Sequence, residues 1–128
     1  MRQFVFAILF AMTGLGASAG DIVDGAIAFE REDYLAAFSS FKKAAERGDA
    51  KAQYLLGELY RNGKGVTEDN IEAAYWFAKA AEQGNAYAQS SLGSMYYYGI
   101  GIPVDDDKAL LWSRKAAEQG NRETPTPR

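Results

Sequence analysis

The chain repeats itself with a period of 36 residues. Asp49–Gly84 and Asn85–Gly120 agree at seventeen positions, among them Ala52/Ala88, Gln53/Gln89, Leu56/Leu92, Gly57/Gly93, Tyr60/Tyr96, Gly63/Gly99, Gly65/Gly101, Asp69/Asp105, Trp76/Trp112 and the block Ala80–Gly84 against Ala116–Gly120. A partial third copy lies upstream, where Ala44, Ala45, Glu46 and Gly48 precede Ala80, Ala81, Glu82 and Gly84 by the same spacing. A fixed period of this size is the mark of a stacked array, in which each unit buries its apolar face only against its neighbours.

Inside each unit the apolar residues recur at helical spacing. Ile22, Ala26 and Phe29 share a face over Asp21–Glu30; Leu35, Phe38, Phe41, Ala44 and Ala45 do so over Tyr34–Arg47. A third helix is expected from Asp49 or Ala50 to about Asn62, with a stripe of Leu55, Leu56, Leu59 and Tyr60. A fourth spans Asn70–Gln83 and carries Ile71, Ala74, Trp76, Phe77, Ala80 and Ala81. The fifth and sixth, Ala86–Tyr98 and Asp106–Gln119, repeat this pair. Gly48 and Gly84 fall just past helix ends, where glycine adopts a left-handed conformation without a side-chain clash. Asp69 and Asp105 are placed to accept from free first-turn amides. Gly57 and Gly93 sit mid-helix at a cost of about 1 kcal/mol relative to alanine, which close approach of a partner helix would offset. Ser113 and Arg114 replace Phe77 and Ala78, and read as a more polar end to the array. The fold class expected is therefore all-α, a short α-solenoid of three antiparallel helix hairpins. They cover 20–48, 49–84 and 85–120, and a disordered tail over 121–128 contains Thr124-Pro125-Thr126-Pro127.

The N-terminus reads as an export signal over 1–19: Arg2, the apolar run Phe4–Met12, then a small-residue cleavage site at Ala17-Ser18-Ala19. Cleavage would leave a chain outside the cytoplasm, periplasmic or secreted, with a bacterial envelope favoured because there is no cysteine to form disulfides. The same absence removes thiolate metal sites and cysteine nucleophiles. The absence of histidine removes the commonest general base and metal ligand. No cofactor or metal is expected. A formal net charge of −3 argues against a nucleic-acid or anionic-membrane surface, and by itself points to a neutral or mildly basic partner.

The string Ala73–Gly84, followed by Ala86-Tyr-Ala-Gln and Leu92-Gly-Ser-Met-Tyr, resembles the Sel-one-like repeat (SLR) family, relatives of tetratricopeptide repeats with a longer loop between the paired helices. The resemblance covers 49–120. Upstream, the shorter connection and Gly25, Ala28, Tyr34 and Ala37 look like a degenerate tetratricopeptide hairpin over 20–48. It implies a non-catalytic adaptor that assembles complexes. Exported bacterial members are similar to envelope, polysaccharide-export or host-interaction factors, and the cysteine-rich, disulfide-pinned subgroup does not fit this chain.

In arrays of this kind the first helix of each pair lines a concave face. Counting from the repeated Leu-Gly pair, the inward positions are Lys51, Tyr54, Glu58, Arg61 and Asn62 in one unit and Tyr87, Ser90, Ser94, Tyr97 and Tyr98 in the next, joined by Ile22, Ala26 and Phe29. Tyrosine gives large contact area with few torsions to freeze, so a protein or peptide partner is expected on this face, chiefly at Tyr54, Arg61, Tyr87, Tyr97 and Tyr98. Tyr60 and Tyr96 are expected in the core. Asp105-Asp106-Asp107 reads as a cap with favourable first-turn charges rather than a metal site. Gly63-Lys64-Gly65 and Gly99-Ile100-Gly101 lack the Lys-Ser/Thr of a phosphate loop. Trp76 and Trp112 are packing residues, with Trp112, beside Leu110 and Leu111, a possible surface for self-association. Two other roles fit the sequence less well: a stabilising subunit of an envelope complex, and a cell-wall hydrolase.

Overall fold

Five helices open on an aspartate or asparagine whose side chain closes the first turn. Asp33 accepts from the amide of Ala36, Asp49 from Ala52, Asp69 from Ile71 and Glu72, Asn85 from Ala88 and Asp105 from Lys108. Each cap contributes about 1 kcal/mol. The computed structural model describes residues 20–120, so the export signal (1–19) and the tail (121–128) expected from the sequence lie outside it. Helix α1 runs through 20–30, followed by α2 Tyr34–Glu46, α3 Ala50–Asn62, α4 Asn70–Glu82, α5 Ala86–Tyr98 and α6 Asp106–Glu118. Among the described residues there is no strand. The chain is an all-α solenoid of antiparallel helix pairs, as its periodicity predicts.

Two contacts fix how the helices of a pair meet. At Gly57 of α3 a Cβ would lie 2.7 Å from the Phe77 ring of α4, and at Gly25 of α1 it would lie 2.5 Å from Phe41 of α2. These glycines let an aromatic ring lie on bare backbone. They also set the register of the first pair: α1 stands 32 residues before α3, not 36, because only 31–33 join α1 to α2 where 63–69 join α3 to α4.

Between pairs the packing is carried by alanines and a glutamine ladder. Ala37, Ala44, Ala45 and Ala52 bury completely or nearly so with Phe41, Leu56, Leu59 and Trp76. Ala73, Ala80, Ala81 and Ala88 do the same with Phe77, Leu92 and Met95. Burying each of the larger side chains contributes roughly 1.5–3 kcal/mol. The buried Gln53 donates to the Ala45 carbonyl of the preceding unit at 3.2 Å and accepts from Gln83 of its own unit at 2.7 Å. Gln89 repeats both bonds, with Ala81 at 3.1 Å and Gln119 at 2.7 Å. In the first pair an ion pair, Asp21 with Arg47, stands where the glutamines would be. Each long loop also docks on the unit before it. A side chain at Gly65, φ +71°, would collide with the Tyr34 carbonyl, and one at Gly101, φ +73°, with that of Asn70.

Three sequence expectations change. Leu35 and Ile71 are not core: they are 75% and 71% exposed, one residue past the helix start, where the chain faces away from the stack. Ser113 is buried against Gly93 of its own pair, so it does not polarise the terminal face. That face shows instead in Ala117, exposed where Ala45 and Ala81 are buried. Tyr60 and Tyr96 lie at the core's edge, half-buried against it.

Candidate functional site

The inward faces of α1 and α3 do not close on each other. Between them lies a cavity of about 440 Å³. Ile22, Ala26, Phe29 and Glu30 of α1 form one wall, and Lys51, Tyr54, Leu55, Glu58, Leu59 and Asn62 of α3 the other; Phe41 of α2 contributes from below and Lys64 from the loop. A second space of about 640 Å³ continues round α1 past Val23, Ile27 and Arg31, and shares Ile22, Ala26, Glu30 and Lys51 with the first.

The 32-residue register explains the opening. Ala26 and Phe29 of α1 occupy the positions that Glu58 and Arg61 hold in α3. Glu58 and Arg61 form an ion pair at 3.3 Å, and the Arg61 guanidinium lies 5.9 Å from the centre of the Phe77 ring. Tyr54 packs at 5.7 Å on Phe77 and at 5.8 Å on Tyr87 of α5. Tyr54 and Tyr87 thereby bridge α3 and α5, while on α1 the small Ala26 leaves the cavity between α1 and α3 open.

Around the rim, Phe29 meets Tyr34 edge-to-face at 5.3 Å and the Lys64 ammonium sits 4.6 Å from the centre of that tyrosine. Asn62 donates to the Glu58 carbonyl at 2.9 Å. Behind the groove, burial raises the pKa of the Tyr60 hydroxyl above its ordinary 10.0, and the carboxylates of Glu72, Asp69 and Glu46 add to the rise. Asp105 serves as a helix cap, and among the described residues no cluster of three or more metal-ligating side chains occurs. An apolar floor with a charged rim of this size can hold one or two side chains of another chain.

The inward residues expected from the sequence are distributed unevenly. Lys51, Tyr54, Glu58 and Asn62 line the cavity with Ile22, Ala26 and Phe29. Arg61 is turned to Glu58 and Phe77, and Tyr87, 59% exposed, extends the wall through its contact with Tyr54. Ser90 is buried, which corrects its assignment to the open face. Ser94, Tyr97 and Tyr98 do not reach the cavity; Tyr97 and the 63% exposed Tyr98 pack edge-to-face at 4.8 Å further along α5. Leu55, Leu59, Glu30 and Lys64 were not expected in a site. Aligning α1 with α3 by their glycines would have found Glu30, opposite Asn62.

A profile of the Sel1 repeat matches residues 10–49, 50–85 and 86–121. The chain belongs to the Sel1 repeat family. Among solved structures it is similar to c5321, a protective antigen present in uropathogenic Escherichia coli strains displaying an SLR fold. That match has 39% identity over 85% of this chain and 24% of that one, with a TM-score of 0.80. A Sel1 repeat protein from Oxalobacter formigenes matches at 50% identity, covering 69% of this chain and 26% of that one, with a TM-score of 0.67. Cysteine rich protein B of Helicobacter pylori shares the fold, at 23% identity over 84% of this chain and 91% of that one, with a TM-score of 0.66. The present chain reaches that fold without a cysteine. Among curated proteins, DAP3-binding cell death enhancer 1 of Rattus norvegicus and of Mus musculus is 54% identical over 37 residues, 29% of this chain and 7% of their length. Sel1 repeat proteins are typically protein-interaction scaffolds and generally non-catalytic. No helix among the described residues is long and apolar enough to cross a membrane.

Proposed function

We propose that this chain is a non-catalytic adaptor, exported to the periplasm or beyond, that captures a peptide or protein surface in the groove between α1 and α3. The observation that carries this reading is the apolar cavity of about 440 Å³ on the inner face. The sequence of residues 1–19 supports export. The interaction-scaffold character of Sel1 repeats supports a protein partner, and the partner named in the DAP3-binding relative is consistent with one. A hydrolase has little to work with in the groove: of its carboxylates, Glu58 is ion-paired and Glu30 stands on the rim.

The test is capture from an envelope extract by the 20–128 chain, run beside two variants. Ala26→Trp fills the groove from an exposed position, so the fold should survive it. Tyr97→Ala/Tyr98→Ala strips the aromatic pair further along α5. A protein retained by wild type and by the tyrosine variant, but lost with Ala26→Trp, supports the groove. The reverse pattern would move the site to α5.

The end of the array favours a second role, as a subunit stabilised by a partner on α6. Leu111 and Ala117 are exposed there and Trp112 is only half-buried. A chain that dimerises or aggregates alone, and becomes monodisperse after Leu111→Glu, would support that role.

A further inference from the structure

We infer that the occupant of the groove is an acidic peptide segment, with apolar residues between two carboxylates; this rests on the groove reading above. The local charge runs against the whole chain, whose formal net charge is −3. Within the two connected cavities the charged residues are Lys51, Lys64, Arg31, Glu30 and Glu58. Glu58 is already neutralised by Arg61 at 3.3 Å. That leaves three cations, Lys51, Arg31 and Lys64, against one carboxylate, with the Lys64 ammonium held at the rim over the Tyr34 ring. Among the described residues Lys51 and Lys64 make no ion pair. A cleft with low-dielectric walls focuses such an excess on whatever enters it.

The spacing defines the ligand further. Lys51 lies in the first turn of α3 and Lys64 just past its end at Asn62, where the chain turns back through the left-handed Gly63; the helix between 51 and 62 rises about 17 Å at 1.5 Å per residue, which sets their separation along the groove. An extended peptide rising about 3.3 Å per residue covers that span in roughly six residues. The lining between the two lysines is apolar, with Phe29 on the α1 wall and Tyr54 and Leu59 on the α3 wall. The matching ligand has a carboxylate at each end of a six- to seven-residue stretch and aliphatic side chains inside it.

The experiment uses three fluorescein-labelled seven-residue probes, each with two leucines inside, ending at both sides in glutamate, glutamine or lysine. Binding is read by fluorescence anisotropy. The glutamate probe should bind wild type about tenfold tighter than the lysine probe, as expected for two rim charges in water. Its advantage should shrink as salt rises and invert in the Lys51→Glu/Lys64→Glu variant, whose exposed positions leave the fold intact. Equal binding of all three probes, or an unchanged order in the charge-reversed variant, would overturn the acidic preference. If those equal affinities still fell with Tyr54→Ala, the groove reading would stand alone. If no probe bound folded wild type, or Tyr54→Ala changed nothing, both would fall.

Discussion

At Gly57 the absent side chain has a specific use, because the Phe77 ring occupies the place where a Cβ would be. Gly57→Ala should therefore destabilise by about 2 kcal/mol through forced displacement of a buried ring. Gly93→Ala is milder, since there the nearest atom is the Ser113 hydroxyl at 2.8 Å, which can rotate, and the α6 backbone at Ala109 and Ser113, 3.3 Å away, need give only by a few tenths of an ångström. Urea denaturation of the two variants should rank them in that order. The sequence revealed that a mid-helix glycine implies close approach. It did not reveal which residue approaches, because that depends on the register between helices. Tyr60 makes a second prediction at this scale. Its hydroxyl titrates higher when folded than unfolded, chiefly through burial. The neutral form is thus favoured by folding: the contribution is complete below pH 10.0 and is lost as pH rises through the folded value. Thermal melts above pH 10 should fall more steeply for wild type than for Tyr60→Phe.

The helices were legible as elements because apolar spacing, caps and terminal glycines agree in every unit, and the observed ends differ from expectation by a residue at most. The joints between them were not. Gln53 and Gln89 recur at one spacing, but hydrophobic periodicity carries no information about which carbonyl a buried amide will find. Leu35 and Ile71 misled for the opposite reason, being apolar residues at helix starts that nothing covers. Gln89→Leu should cost about 1–2 kcal/mol, since it removes two hydrogen bonds: the Ala81 carbonyl keeps only its backbone partner, the Gly84 amide, and the exposed Gln119 amide is left to water. Arg47→Ala, which breaks the partly exposed substitute for this joint, should cost under about 1 kcal/mol. Chemical denaturation monitored by circular dichroism measures both.

Over the whole molecule, three units of one design, the first with a shortened connection, give an inner face that is far from uniform. Tyr54 and Tyr87 meet across α3 and α5 and Glu58 pairs with Arg61; where α1 supplies Ala26 the face is open. That Lys51, Tyr54, Glu58 and Asn62 share a face with Ile22, Ala26 and Phe29 was readable from the repeat, but the burial of Ser90 and the place of the opening were not. The opening follows from the shortened 31–33 connection, which shifts α1 by four residues against the period and brings Ala26 opposite the large side chains of α3. The most direct measurement is amide chemical-shift mapping of the ¹⁵N-labelled 20–128 chain on addition of the captured partner segment. The account predicts perturbations concentrated in 22–31 and 51–64, with α6 unchanged. Shifts concentrated at 97–112, with α1 silent, would contradict it.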